Sequence, residues 1–224
     1  MSALMEAVAG LANPVVGLPT GNTPVALYED LRARVLRNEV DISNWVPFAI
    51  DEYGGLRDHP CSNRRFFARY WDTIPGAPPV EQFDPETSDL PGDIRRMSLA
   101  LERAGGLDVS VLGIGMNGHL AFNEPGSMLD STVRRVDLQE ASRLSGGLCW
   151  GAAVPTWGLT LGLKELLGAS TVVVMANGVA KADVVAKAIG GPETPECPAS
   201  LVRRAPRPIW VLDDVAAAGV GKSG

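Results

Sequence analysis

The sequence predicts an α/β domain with a mostly parallel central sheet and helices on both faces. Two observations carry that prediction. Short apolar runs at 15–18, 45–50, 109–112, 172–175 and 208–212 alternate with helix-like segments along the whole chain. Polar turns rich in glycine follow several of those runs, where open α/β sheets hold their ligands. A length of 224 residues with 46% apolar content suits one domain spanning 1–224.

Taken in order, residues 1–12 carry helical spacing at Leu4, Val8 and Leu11. The strand at 15–18 runs into Pro19-Thr20-Gly21-Asn22-Thr23-Pro24 and then an amphipathic helix over 25–36. Thr23 is placed as its N-cap, with Pro24 at the first helical position. Strand, glycine turn and helix N-terminus together make a candidate anion site of backbone N–H groups. The next strand ends in Asp51-Glu52-Tyr53, whose alternate side chains face opposite ways while the strand lasts. Residues 60–73 and 93–104 read as helices, and the first carries Arg64, Arg65 and Arg69 on a solvated face. His59 beside Pro60 reads as a turn residue without a role. Residues 128–158 have weak periodicity and a Ser145-Gly146-Gly147 run, which predicts a mobile flap. Residues 160–167 suggest a short helix, 172–175 a strand, and a helix follows through 189. Lys181 falls near the start of that helix, where the dipole disfavours a cation unless an anion is bound.

The net charge of −6 and pI near 5.0 argue against a general nucleic-acid or membrane-surface role. No apolar run is long enough for a membrane span and no signal pattern opens the chain, so a cytoplasmic protein is expected. Cys61, Cys149 and Cys197 are far apart and odd in number, which suits reduced thiols. With only two histidines, a histidine-rich metal site is not expected.

The stretch from 109 to 127, V-S-V-L-G-I-G-M-N-G-H-L-A-F-N-E-P-G-S, holds the densest chemistry. A buried strand breaks into glycines, after which Asn117, His119, Asn123 and Glu124 appear before Pro125-Gly126. Polar groups just past a buried strand are costly unless used or paired. Gly113 to Gly118 matches the dinucleotide pattern G-x-G-x-x-G, but Pro125 and Gly126 cut short any helix begun at Gly118. The glycines are better read as letting the backbone bring His119 close to a small ligand.

Three separated stretches together resemble the glucosamine-6-phosphate deaminase family, within the wider group that includes the 6-phosphogluconolactonases. They are Gly17 to Pro24, Asp51-Glu52-Tyr53, and Gly113 to Gly126 with its Asn-Gly-His and Phe-Asn-Glu-Pro core; Gly178 to Ala182 fits more weakly. The resemblance covers about 13–214 and implies the Rossmann-like three-layer fold, no metal and no cofactor. It implies conversion of glucosamine 6-phosphate and water to fructose 6-phosphate and ammonia. On that likeness His119 opens the sugar ring, with Glu124 and Asn117 orienting it. Asp51 moves the proton between C2 and C1, while Thr20, Gly21, Asn22, Thr23 and Lys181 hold the 6-phosphate. The implied partner is a small amino-sugar phosphate, with the choice between monomer and homo-oligomer left open.

Two departures stand out. An ungapped count puts Leu148 where the family usually has a flap arginine, and losing a bidentate phosphate contact would weaken binding or shift preference. Arg143 is on a different helical face, so it substitutes only if the flap is realigned. The N-terminus is also shorter than usual in that family by about a helix and strand, which predicts a sheet edge either bare or paired with another chain. The alternatives kept are an isomerase or lactonase for another sugar phosphate, and a sensor that binds without turnover.

Overall fold

The computed structural model describes residues 1–55 and 57–221, without the side chains of Ser145 and Leu148. Its main sheet has five parallel strands: β1 (Val15–Leu18), β2 (Val46–Ala49), β4 (Val109–Gly113), β7 (Thr171–Ala176) and β8 (Pro208–Leu212), in the order β2-β1-β4-β7-β8. Parallel strands covered on both faces are apolar throughout, and β1 and the first four residues of β4 are buried accordingly. On one face Tyr28, Leu31, Phe67 and Trp71 pack against Val16, Leu18 and Val109; on the other Met97, Leu112, Leu159 and Val174 share a second core.

Helices α1 (Ser2–Val8), α2 (Val25–Leu36), α3 (Asn63–Tyr70), α4 (Leu90–Arg103), α5 (Glu140–Trp150), α6 (Leu163–Leu167) and α7 (Ala182–Gly190) connect the strands. Local chemistry fixes their ends. Ser62 accepts from the Arg65 amide to cap α3, and Asp89 accepts from the Gly92 amide to cap α4. The start of α2 lies one residue later than expected: Pro24 is the N-cap and Thr23 makes no side-chain cap. There the Val25 amide turns back to the Asn22 carbonyl instead.

A second sheet is a departure from the sequence reading. Strands β3 (Asp51–Tyr53), β6 (Trp157–Thr160) and β5 (Arg134–Asp137) pair antiparallel in the order β3-β6-β5. The segment 128–158, expected as a mobile flap, holds β5, α5 and the start of β6. Residues 160–167 are likewise the end of a strand followed by a helix. Leu159 and Leu161 point into the core from this sheet, a period-two signal too short to separate from a helical one.

The cysteine expectation is corrected outright. Cys61 and Cys149 form a disulfide across 88 residues of sequence, tying the end of α5 to the turn before α3. Spacing alone carried no sign of that pairing; only Cys197 is a free thiol, and it is buried. His59 sits in that turn but also stacks flat on Trp150, ring centroids 4.0 Å apart. On the β2 side the sheet edge is covered, since residue 81 bridges Phe48, with Ala49 donating to the Glu81 carbonyl at 2.9 Å. Among the described residues, no helix is long and apolar enough to cross a membrane.

Candidate active site

The site lies along the C-terminal ends of β1, β2, β4 and β7. The chain moves from β1 outward to β2, then back past β1 to β4, so strand order reverses between β1 and β4. That switch point is where loops diverge and leave a crevice. The loop after β1 holds Thr20, Gly21, Asn22 and Thr23, with Gly21 at φ +88°, a conformation that favours glycine. Tyr28 anchors the loop entrance by donating its hydroxyl to the Pro19 carbonyl at 2.7 Å. Among the described residues, the amides of Gly21, Asn22 and Thr23 donate to no protein acceptor. They stand at the N-terminal end of a twelve-residue helix, which suits an anion.

Lys181 comes from the other side of the crevice. It ends a short 3-10 turn after β7 and reaches across to donate to the Ile114 carbonyl, just past β4, at 2.6 Å. Burial lowers its pKa, an electrostatic cost that a bound anion would relieve.

Asp51 and Glu52 open β3, directly beyond the bend at Ile50 that ends β2. Their side chains do different things. Glu52 accepts from the amides of Tyr53, Asn63 and Arg64 at 2.7–2.9 Å, capping α3. Asp51 has one described side-chain partner, the amide of Asn63 at 2.6 Å. Burial, then the neighbouring Glu52, pushes the Asp51 carboxyl up to about 8. Glu52 is raised to about 7 by burial, against the pull of its three amide donors. A carboxyl held so far above its ordinary range is poised to exchange a proton near neutral pH.

The turn after β4 carries the remaining groups. Gly115 has to be glycine because a Cβ there would lie 2.2 Å from the His119 ring. The Asn117 carbonyl oxygen lies 2.7 Å from His119 Nδ1, and its amide nitrogen donates to Glu124 Oε2 at 2.9 Å. Glu124 Oε2 is itself 3.6 Å from Nδ1, and Oε1 accepts from the Gln139 amide at 3.2 Å. Burial lowers the His119 pKa first; Glu124 opposes this and Lys181 adds to it. The backbone between His119 and Glu124 is tightly wound, with Ala121 at φ +50°. Asn123 holds the turn by donating to the Leu120 and Leu161 carbonyls. No helix starts at Gly118, so the glycines serve the histidine turn and not a dinucleotide.

Thus Asn117, His119 and Glu124 form one network after β4, while Asp51 follows β2, with β1 between the two strands. Tyr53 links them electrostatically: Asp51, Glu52 and Glu124 all raise its pKa after burial has done so. The anion loop and Lys181 flank the group. Three contributors were missed in the sequence. Asn63 holds Asp51, Tyr28 anchors the loop, and Ser142 of α5 places Oγ 3.0 Å from His119 Nδ1. Each sits on a helix whose docking is not written in a local motif. Leu148, at the expected arginine position, is on α5 with its side chain outside the described residues.

Comparison with known proteins agrees with this layout. The family model for glucosamine-6-phosphate isomerases/6-phosphogluconolactonase matches residues 1–210. A glucosamine-6-phosphate deaminase from Beutenbergia cavernae is 39% identical over 92% of this chain and 80% of its own length. Another from Rhodopirellula baltica is 36% identical over 93% and 85%. A solved monomeric glucosamine-6-phosphate deaminase superposes with a TM-score of 0.92 at 27% identity, covering 97% of this chain and 92% of its own. A 6-phosphogluconolactonase from Thermotoga maritima shares the fold, with a TM-score of 0.75 at 20% identity over 94% of this chain and 90% of its own. The chain belongs to the glucosamine-6-phosphate isomerase/6-phosphogluconolactonase family.

Proposed function

We propose that the protein is a glucosamine-6-phosphate deaminase, converting glucosamine 6-phosphate and water to fructose 6-phosphate and ammonia. The observation that carries this reading is a buried, proton-poised Asp51 and the His119–Asn117–Glu124 network at the same C-terminal edge of the sheet, on either side of β1 and its anion loop. The phosphate binds the amides of the 20–23 loop, with Lys181 turning from the Ile114 carbonyl to meet it. His119 takes the proton from the anomeric hydroxyl and delivers it to the ring oxygen as the C1–O5 bond breaks. Glu124 and Asn117 stabilise the imidazolium formed on the way.

Asp51 then removes the C2 proton while the C1 carbonyl oxygen takes a proton from the substrate's own ammonium group, giving an enolamine between C1 and C2, and Asp51 returns the C2 proton to C1. One carboxylate serves both atoms because they are adjacent. The resulting C2 imine is hydrolysed by water, which releases ammonia and leaves the ketose. The overall reaction is thus an isomerisation with a hydrolytic last step in amino-sugar breakdown. In this reading segment 128–158 walls the site, with α5 pinned at its C-terminal end, and the enzyme works in the cytoplasm, where charge retains sugar phosphates.

The direct test is ammonia release from glucosamine 6-phosphate, with unphosphorylated glucosamine and galactosamine 6-phosphate in parallel. Release from the first alone is the expected result. A folded sample that releases none overturns the reading and sends the search to other sugar phosphates.

A further inference from the structure

His119 has a neighbour that the scheme above does not use. Ser142, 2% exposed on α5, places its hydroxyl oxygen 3.0 Å from Nδ1. Proton placement follows from the surrounding groups. Glu124 Oε2 faces the Asn117 amide nitrogen at 2.9 Å and, as a carboxylate, accepts only. The Asn117 oxygen therefore faces Nδ1, also as an acceptor only, so the imidazole proton sits on Nδ1. Nε2 is then bare on the opposite ring edge, in the state needed to take a proton from a sugar hydroxyl. Ser142 Oγ stands on the protonated edge with the Asn117 oxygen.

We propose that Ser142 is a positioning residue for ring opening: its hydroxyl oxygen is a second acceptor for the Nδ1 proton of His119 and holds the ring with Nε2 directed at substrate. The proposal rests on the deaminase reading for its chemistry, but the hydrogen bond itself is independent of substrate. Its value comes from Asn117 being neutral. An amide oxygen gives the imidazolium less support than a carboxylate, and a hydroxyl lone pair at the same nitrogen supplies part of the difference. The other charged groups acting on His119 are Glu124 in the same turn and Lys181 at the start of α7, and they oppose each other. Helix α5 is held in place by the Cys61–Cys149 bond and by Trp150 packed between His59 and Tyr53. Ser142 is thereby delivered by a separate element from the one that carries the histidine.

The chain has only two histidines, so ¹⁵N-histidine spectra of the whole protein resolve both rings, and His119→Gln assigns them by difference. Expected for Ser142→Ala are an unchanged fold, a His119 titration moved to lower pH, and kcat on closed-ring substrate down about three- to tenfold with KM unchanged, the weight of one hydrogen bond. Ser142→Thr, which keeps the hydroxyl, restores both. A Ser142→Ala protein whose His119 titration matches the wild type overturns the proposal, as does a loss of kcat that Ser142→Thr fails to restore in a folded protein. If the wild type releases no ammonia, the deaminase reading fails, while the spectra still decide whether Ser142 bonds His119.

Discussion

Asp51 and Glu52 are neighbours with the same functional group, and their partners give them different work. Glu52 spends its oxygens on three backbone amides and fixes the start of α3. Asp51 keeps a less engaged carboxyl whose pKa burial holds at about 8. As the proposed base, Asp51 must be ionised to act, so kcat/KM is expected to climb with pH until about 8 instead of levelling off near the ordinary aspartate range. A pH–rate profile flat from pH 5 upward would remove Asp51 from that role. Asp51→Asn should abolish turnover by more than a thousandfold, on the order expected for losing the central base. The isosteric amide should leave sugar-phosphate affinity nearly intact, measurable by calorimetry. For His119→Gln, the loss should be much smaller on substrate supplied in open-chain form; equal losses on both forms would contradict a ring-opening role. These acids, and the histidine with its turn, were legible because each follows a buried run or a glycine cluster. Asn63 and Ser142 were not, because their importance comes only from where α3 and α5 dock.

Helix α5 is the element the sequence described least well. Its Ser145-Gly146-Gly147 run lowers helix propensity, and tertiary contacts override that weakness. Gly146 lies under Tyr53, close enough that a Cβ would sit 3.0 Å from the tyrosine oxygen. Trp150 packs on His59 and Tyr53, and the disulfide closes the end of the helix onto the turn before α3. A cross-link across 88 residues restrains the unfolded chain. By the usual size of that effect, about 2–4 kcal/mol, dithiothreitol should lower Tm by about 4–16 °C in a chain of this length. An unchanged Tm, with three titratable thiols when the protein is denatured without reductant, would contradict the bond. Intracellular thiols compete for such a bond. The same treatment is therefore expected to loosen α5 and, with it, the contact between Ser142 and His119.

The parallel core was the most legible part of the molecule, since five apolar runs became its five strands. What escaped was the smaller antiparallel sheet. Its strands are three or four residues long, and their pairing depends on residues 51, 134 and 160 meeting across distant sequence. The likeness to lactonases at a TM-score of 0.75 shows how well the scaffold persists while the chain diverges to 20% identity. One detail of the join between the sheets has a mechanical meaning. The chain leaves the large sheet at Ala49 and enters the small one at Asp51, with only Ile50 between them and its carbonyl held by the Leu161 amide at 2.8 Å. The chain passes between the two sheets four times, and this passage is the shortest. Asp51, the carboxylate we propose as the proton carrier, thus begins one residue beyond the parallel core, so the large sheet fixes its place as much as the small one does.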